Sequence, residues 1–171
     1  MRYAAFLRAI NVGKHNRIRM EELRNLCSSL GWEKISTHLQ TGDIALNSDQ
    51  PDPSVIAQEL EAALLERGFS GASVIVRSDS QVQQMLEREV FTERDASLAY
   101  RYVTLLRQPS QQVANMPADL KVLFSDDGAV FSSLAKNLTK PVQINAAIER
   151  AWKTPATTRF MNVLEDFAKL L

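Results

Sequence analysis

The stretch "RYVTLLR" at Arg101–Arg107 repeats the Arg-Tyr-x-x-x-Leu-Arg spacing of "RYAAFLR" at Arg2–Arg8. Each reads as a short strand, apolar on both faces and therefore interior to a sheet. Seven residues of strand composition can coincide by chance, so the elements after each copy must decide whether the repeat is real.

After the first copy, Met20, Leu23, Leu26, Cys27 and Leu30 fall at helical spacing, with Gly31 placed to stop the helix. "KISTHLQTGDIALNS" then predicts a hairpin with arms Ile35–Leu39 and Ile44–Asn47 about a turn at Gly42. "PDPSVIAQELEAALLERGF" predicts a helix capped by Asp52, opened by Pro53, striped by Ile56, Leu60 and Leu64, and stopped at Gly68. "ASVIVRS" is the next strand, and Ser78–Val90 a third helix with Val82, Met85, Leu86 and Val90 on one face.

After the second copy, Pro109–Met116 predicts a short helix, "KVLFSDDGAVFSSL" a hairpin turning at Asp127-Gly128, and Thr139 and Pro141 open a helix carrying Ile144, Ile148 and Trp152. A last helix, capped near Thr157 or Thr158, carries Val163, Leu164, Phe167 and Leu170. Both halves thus share an element order, which points to an internal duplication. The expected class is α+β: two ferredoxin-like (βαββαβ) subdomains, each an antiparallel sheet with its helices on one face. The expected boundaries are 1–95, with an added helix, and 96–171, a βαββα unit with a terminal helix. The polar run Glu93–Ser97 would link them.

At 171 residues, the chain can bury about 70% of its extended surface. Lys+Arg 20 against Asp+Glu 20 gives no net charge, which argues against a general nucleic-acid coat and leaves room for a local basic patch. One cysteine, Cys27, excludes an internal disulfide and suits a reducing compartment. "YAAFL" is interrupted by Arg8 and lacks a cleavage pattern, and no apolar run approaches the roughly 20 residues of a membrane span. The expectation is a cytoplasmic protein with no membrane partner.

Much chemistry is missing from the sequence. His15, His38 and Cys27 show no ligand spacing, so no metal site and no cofactor is expected. There is no nucleophile elbow, Walker loop or dinucleotide fingerprint, and six glycines leave little material for one. Glu21-Glu22 and Asp126-Asp127 stand at a helix start and a turn tip, where acids serve structure. Cys27 reads as a small buried hydrophobe, Trp32 as a cover over a helix end and Trp152 as part of an apolar stripe.

The segment Arg8–Arg19 differs in kind, because no carboxylate occurs between Met1 and Met20. A strand that leads through a glycine-bearing loop into a helix aims backbone N–H groups and a positive dipole end above the sheet edge. Arg8, Lys14, Arg17 and Arg19 add charge, Asn11 and Asn16 add neutral donors, and Gly13 allows a tight turn. Gln40, Gly42 and Asp43 at the hairpin tip, with Lys140 and Arg159 of the later basic set, would complete a site if they converged. The chain path predicts the Gln40 tip at the far edge from the Arg8 exit, unless the loop folds back.

"LRAINVGKHNRIRMEELRNL", "LGWEKISTHLQTGDIAL" and "VIVRS" together resemble a bacterial family, domain of unknown function 1697. The likeness extends through "TKPVQINAAIERAW" and "TTRFMNVLEDFAKL". It implies a duplicated ferredoxin-like arrangement and no established activity, so no catalytic residue is carried over. The motif positions matched are Arg8, Asn11, Gly13, Asn16, Gln40, Gly42, Arg77, Lys140, Arg159 and Asn162. Departures from the family pattern are Lys14 for a second glycine, Asp43 for asparagine, and Phe160-Met161 for Asn-Trp.

The functional expectation is a protein that binds a phosphorylated small molecule, a nucleotide or a short nucleic acid through loop 8–19. The alternative is a non-catalytic interaction or scaffold domain, associating with itself through a sheet edge. An enzyme using Asp43 or His15 as acid–base groups finds no supporting spacing.

Overall fold

The computed structural model describes residues 1–11, 17–39, 41–92, 98–126, 128–138 and 140–171. Gly13, Lys14, His15, Asn16, Gln40, Asp127, Thr139 and the expected linker at Glu93–Ser97 lie outside them. The chain divides into two compact units: Met1–Leu86 with Phe167–Leu171, and Glu87–Asp166.

The first unit runs β1 (Arg2–Arg8), α1 (Met20–Ser29), β2 (Glu33–His38), β3 (Asp43–Asn47), α2 (Pro53–Glu66), β4 (Ser73–Ser78) and α3 (Asp79–Leu86). Its antiparallel sheet has the order β2-β3-β1-β4. That order is the ferredoxin-like one, with β1 central and apolar on both faces, as the sequence predicts. Asp52 caps α2, its Oδ1 accepting the Ser54 N–H at 2.8 Å, and Pro53 occupies the first turn. Leu23, Leu26 and Cys27 of α1 join Ile56, Leu60 and Leu64 of α2 over Tyr3, Ala5 and Leu7 of β1, all buried. Trp32 closes the same core beyond the end of α1. Near the chain end, the Phe167 ring packs 5.4 Å from Phe6, and Arg2 donates to the Leu170 carbonyl.

The second unit runs β5 (Ala99–Leu106), β6 (Leu120–Ser125), β7 (Ala129–Ala135), α4 (Ile144–Trp152), β8 (Ala156–Phe160) and α5 (Met161–Ala168). The last residues of α5 belong to the first unit. The sheet order β6-β7-β5-β8 reproduces the first sheet strand for strand. The duplication reaches single residues. Arg77 faces Ala4 across β1–β4, and Arg159 faces Val103 across β5–β8, the same position of the repeated motif. Each guanidinium donates at 2.9 Å to the carbonyl of the preceding residue, Val76 or Thr158. The outer strands β2 and β6 also both carry a register irregularity, between Glu33 and Ser36 and between Val122 and Phe124. Such a bulge blunts a sheet edge against pairing with another chain.

The structure corrects three of the expectations from sequence. Pro109–Met116 is not a helix. The segment is tied to the end of α4 instead: the Val113 N–H donates to Ala151 O at 2.7 Å and the Ser110 side-chain hydroxyl to Trp152 O. Ala114 and Met116 pack on the core of Leu106, Val130, Ile148, Ala151, Trp152 and Ala156. Thr157 and Thr158 do not cap a helix. They lie in β8, where the β-branched pair suits the pleat and pairs with Leu105 and Thr104. Finally, α3 ends at Leu86, four residues short of Val90.

Cys27 is fully buried, and burial pushes its thiol up to about 12. The folded state therefore keeps the proton that an unfolded chain loses near pH 8.5–9, and stability should fall as pH rises above that range. At pH 8 a thiol reagent such as Ellman's should leave the native protein unlabelled and titrate one thiol after unfolding in guanidinium. Rapid labelling of the native state would contradict the buried position.

Candidate functional site

Strand register settles which loops share an end of the first sheet. Ala5 faces Ile44 on β3, Arg8 faces Ser73 on β4, and His38 faces Asp43 across the hairpin. The β1 exit and the β2–β3 tip thus lie at one end, which corrects the expectation of opposite ends. The physical reason is the helical connection, which carries the chain back along the sheet so that β2 runs parallel to β1.

The two loops touch. A Cβ at Gly42 would lie 2.4 Å from Ile10 Cδ1 and 3.6 Å from Leu23 Cδ2, so Ile10 packs directly over the glycine. Gly42 has φ +79°, where glycine has no steric penalty. Around this contact the backbone is held in the left-handed region at three non-glycine residues: Ala9 (φ 61°), Asn11 (φ 54°) and Leu39 (φ 52°). Ala9 and Leu39 have no side-chain oxygen to offset that conformation, so the strain is maintained by their surroundings. The Asn11 Oδ1 accepts the Ile18 N–H at 2.9 Å and so pins the start of the loop to its end.

Charge at this end is mixed. Arg8 is half-buried at the end of β1, Arg17 is exposed, and Asp43 is fully buried at the start of β3. None of these three is unpartnered. The Thr41 hydroxyl stands 3.2 Å from both Asp43 Oδ2 and His38 O. The start of α1 carries its own anion at the N-cap residue, Arg19. Glu22 Oε2 accepts the Arg19 N–H at 3.1 Å, and its Oε1 accepts from the Arg19 guanidinium at 2.9 Å. These bonds hold the Glu22 carboxyl below the usual carboxylate range and keep Arg19 occupied.

Of the other sequence-predicted residues, Gly13, Lys14, Asn16 and Gln40 lie outside the described residues. Lys140 is exposed and Arg159 half-buried in β8, both in the second unit. Arg159 also donates to Thr157 Oγ1 at 2.9 Å. The role of Ile10 was missed by sequence reasoning, since an isoleucine in a loop signals only that some part of the loop is buried. The left-handed Ala9 and Leu39 leave no sequence signal. Among the described residues, no group of three or more His, Cys, Asp or Glu side chains is arranged to hold a metal ion. None of the described helices is long and apolar enough to cross a membrane.

Comparison with known proteins adds a family and a fold. A family model described as "Protein of unknown function (DUF1697)" matches residues 1–129. Among solved structures, the chain is similar to a conserved bacterial protein, SP0830 from Streptococcus pneumoniae, with 17% identity and a TM-score of 0.69 over 99% of this chain and 97% of that one. At that identity the likeness shows a shared fold. No curated protein matches.

The Ile10–Gly42 contact can be tested by a double-mutant cycle. Gly42→Ala should destabilise by about 1–3 kcal/mol through its positive φ and the clash with Ile10. Ile10→Val removes the clashing methyl and alone should cost about 0.5–1.5 kcal/mol. In the Ile10→Val background the Gly42→Ala penalty should shrink by at least about 0.5 kcal/mol in urea denaturation. Strict additivity would mean that the loops do not meet.

Proposed function

The chain belongs to the DUF1697 family of proteins of unknown function, and from its geometry we propose that it binds a phosphorylated ligand at the loop end of the first sheet. The observation that carries this reading is the strained backbone at Ala9, Asn11 and Leu39, gathered around one sheet end with Arg8 and Arg17. Left-handed non-glycine residues cost on the order of 1–3 kcal/mol each and concentrate at functional sites. Arg8 and Arg17 bring forked donors suited to phosphate oxygens. Lys14 belongs to the same acid-free run of sequence and adds a further cation to it.

Asp43 limits the class of ligand. A buried carboxylate at the hairpin tip repels phosphate that approaches the tip directly, so the anion is received on the Arg8–Arg17 side. Asp43 is fully buried and partnered, so it divides this end of the sheet into a cationic side and a side closed to anions. A phosphorylated small molecule or nucleotide fits this division better than a long nucleic acid, in keeping with the zero net charge. The bulges on β2 and β6 weigh against the alternative of self-association through those two strands.

A thermal-shift screen of inorganic phosphate, sugar phosphates, nucleotides and short oligonucleotides tests the reading. At 100 times Kd a ligand should add about 2.7 kcal/mol to the stability of the parent. The ligand-induced shift should largely vanish in Arg8→Ala, Lys14→Ala and Arg17→Ala. Flat traces across the screen, or a shift undiminished in all three variants, would overturn it.

A further inference from the structure

An antiparallel strand at a sheet edge turns the N–H and C=O of every second residue away from its only neighbour, where another chain can pair with them. Each of the two sheets has two such edges. The bulges on β2 and β6 blunt one edge of each, while β4 and β8, at the other edges, pair without interruption along β1 and β5. β4 reads Ser73-Val74-Ile75-Val76-Arg77-Ser78, a β-branched apolar run without proline, the kind of segment that recruits a second strand.

Side chains occupy outward groups on both strands. In β4, Glu61 Oε1 accepts the Val74 N–H at 2.7 Å, the Val76 carbonyl accepts from the Arg77 guanidinium at 2.9 Å, and Gln81 Oε1 accepts the Ser78 N–H at 2.9 Å. In β8, Glu149 Oε1 accepts the Ala156 N–H at 2.9 Å, and the Thr158 carbonyl accepts from the Arg159 guanidinium at 2.9 Å. The two sets correspond residue for residue. Val74 and Ala156 each stand three places before the arginine, and Val76 and Thr158 one place before it. Each glutamate comes from the helix between the third and fourth strands of its unit, α2 or α4. Val74 and Val76 pack in the core with α2, and Ala156 in the core with α4, so alternation along each strand sends the arginine to the opposite face. The carboxylate thus closes each edge from the helix face and the guanidinium from the other.

We propose that these two glutamate–arginine pairs keep β4 and β8 from accepting a strand of a second copy of this chain. A second copy is the competitor because it carries the same β-branched run, and two β4 edges can pair antiparallel about a two-fold axis. Pairing first requires each strand to give up its charge-assisted hydrogen bonds, which are about twice as strong as neutral ones. The strand residues differ between the two units, Val74 against Ala156 and Val76 against Thr158, while the glutamate and the arginine are the same in both. What the repeat retains is therefore the closing of the edge and not the packing beneath it.

The experiment follows the full chain by sedimentation velocity over a concentration series, with residue-resolved amide exchange by NMR. Glu61→Ala should speed exchange of the Val74 amide about 10- to 100-fold, and Glu149→Ala that of the Ala156 amide, as expected for losing a hydrogen bond to a charged group. The double variants E61A/R77A and E149A/R159A should associate at concentrations well below any at which the parent does. As they associate, the amides of Val74 and Val76, or of Ala156 and Thr158, should gain protection. Glu61→Gln and Glu149→Gln keep the acceptor oxygen and should sediment as the parent does. All four side chains make further interactions, so circular dichroism and a melting curve accompany each variant. A double variant that fails to fold is replaced by the single alanine variant of its glutamate, read in the same way. Folded variants that associate no more than the parent overturn the proposal and leave the pairs a part in stability alone. Association without protection of those amides overturns it as well, because the contact then lies elsewhere.

Discussion

The central placement of β1, hydrogen-bonded to β3 on one side and β4 on the other, is the constraint on which the rest of the first unit depends. A strand paired on both edges can expose neither its backbone nor, in this packing, its side chains, which is why Tyr3 through Leu7 are all buried. The two connections that leave the motif end of β1 are forced together by the same pairing. With β3 antiparallel to β1 and β2 antiparallel to β3, the hairpin tip must return to the end at which β1 exits. Ile10 over Gly42 is the side-chain expression of that rule, and the strained residues nearby are held in place by it.

Much of this was legible in the sequence, and the reasons are specific. Elements that carry their own punctuation were readable: Asp52-Pro53 fixed the start of α2, and "RYAAFLR" declared an interior strand through its lack of alternation. Readings failed where a local signal had two meanings. Thr157-Thr158 suits a helix cap and a strand alike, and the choice is made by pairing with β5, more than fifty residues distant in sequence. Pro109–Met116 resembles a capped helix, but the Val113 N–H and the Ser110 hydroxyl find carbonyls at the end of α4, and a tertiary partner decides the conformation.

The candidate site divides in the same way. Arg8 and Arg17 stood out by composition, since an acid-free run of twenty residues is a sequence property. That Glu22 would occupy the amide of the N-cap residue Arg19 also had a signal, its position three residues later, as in a capping box. The left-handed turns at Ala9 and Leu39 had none. Alanine and leucine avoid that region when free to do so, and only the packed loop end imposes it. Strain of this kind is a tertiary property, imposed by packing and not by the local sequence.

The duplication explains why the second unit differs in character from the first. Copies of one fold begin with the same buried positions, and each position stays apolar only while something covers it. Where α1 covers the sheet, the motif tyrosine is sealed and its hydroxyl bonds a backbone carbonyl. Without an equivalent helix, the corresponding Tyr102 is only half-buried, and burial together with the neighbouring Tyr100 holds its phenol above the ordinary tyrosine range. A partly open aromatic surface forgoes part of the stabilisation that full burial would give. On that side of the sheet Tyr100 and Phe160 meet each other at 6.0 Å, and the Lys136 Nζ lies 5.8 Å from the Tyr100 ring centre.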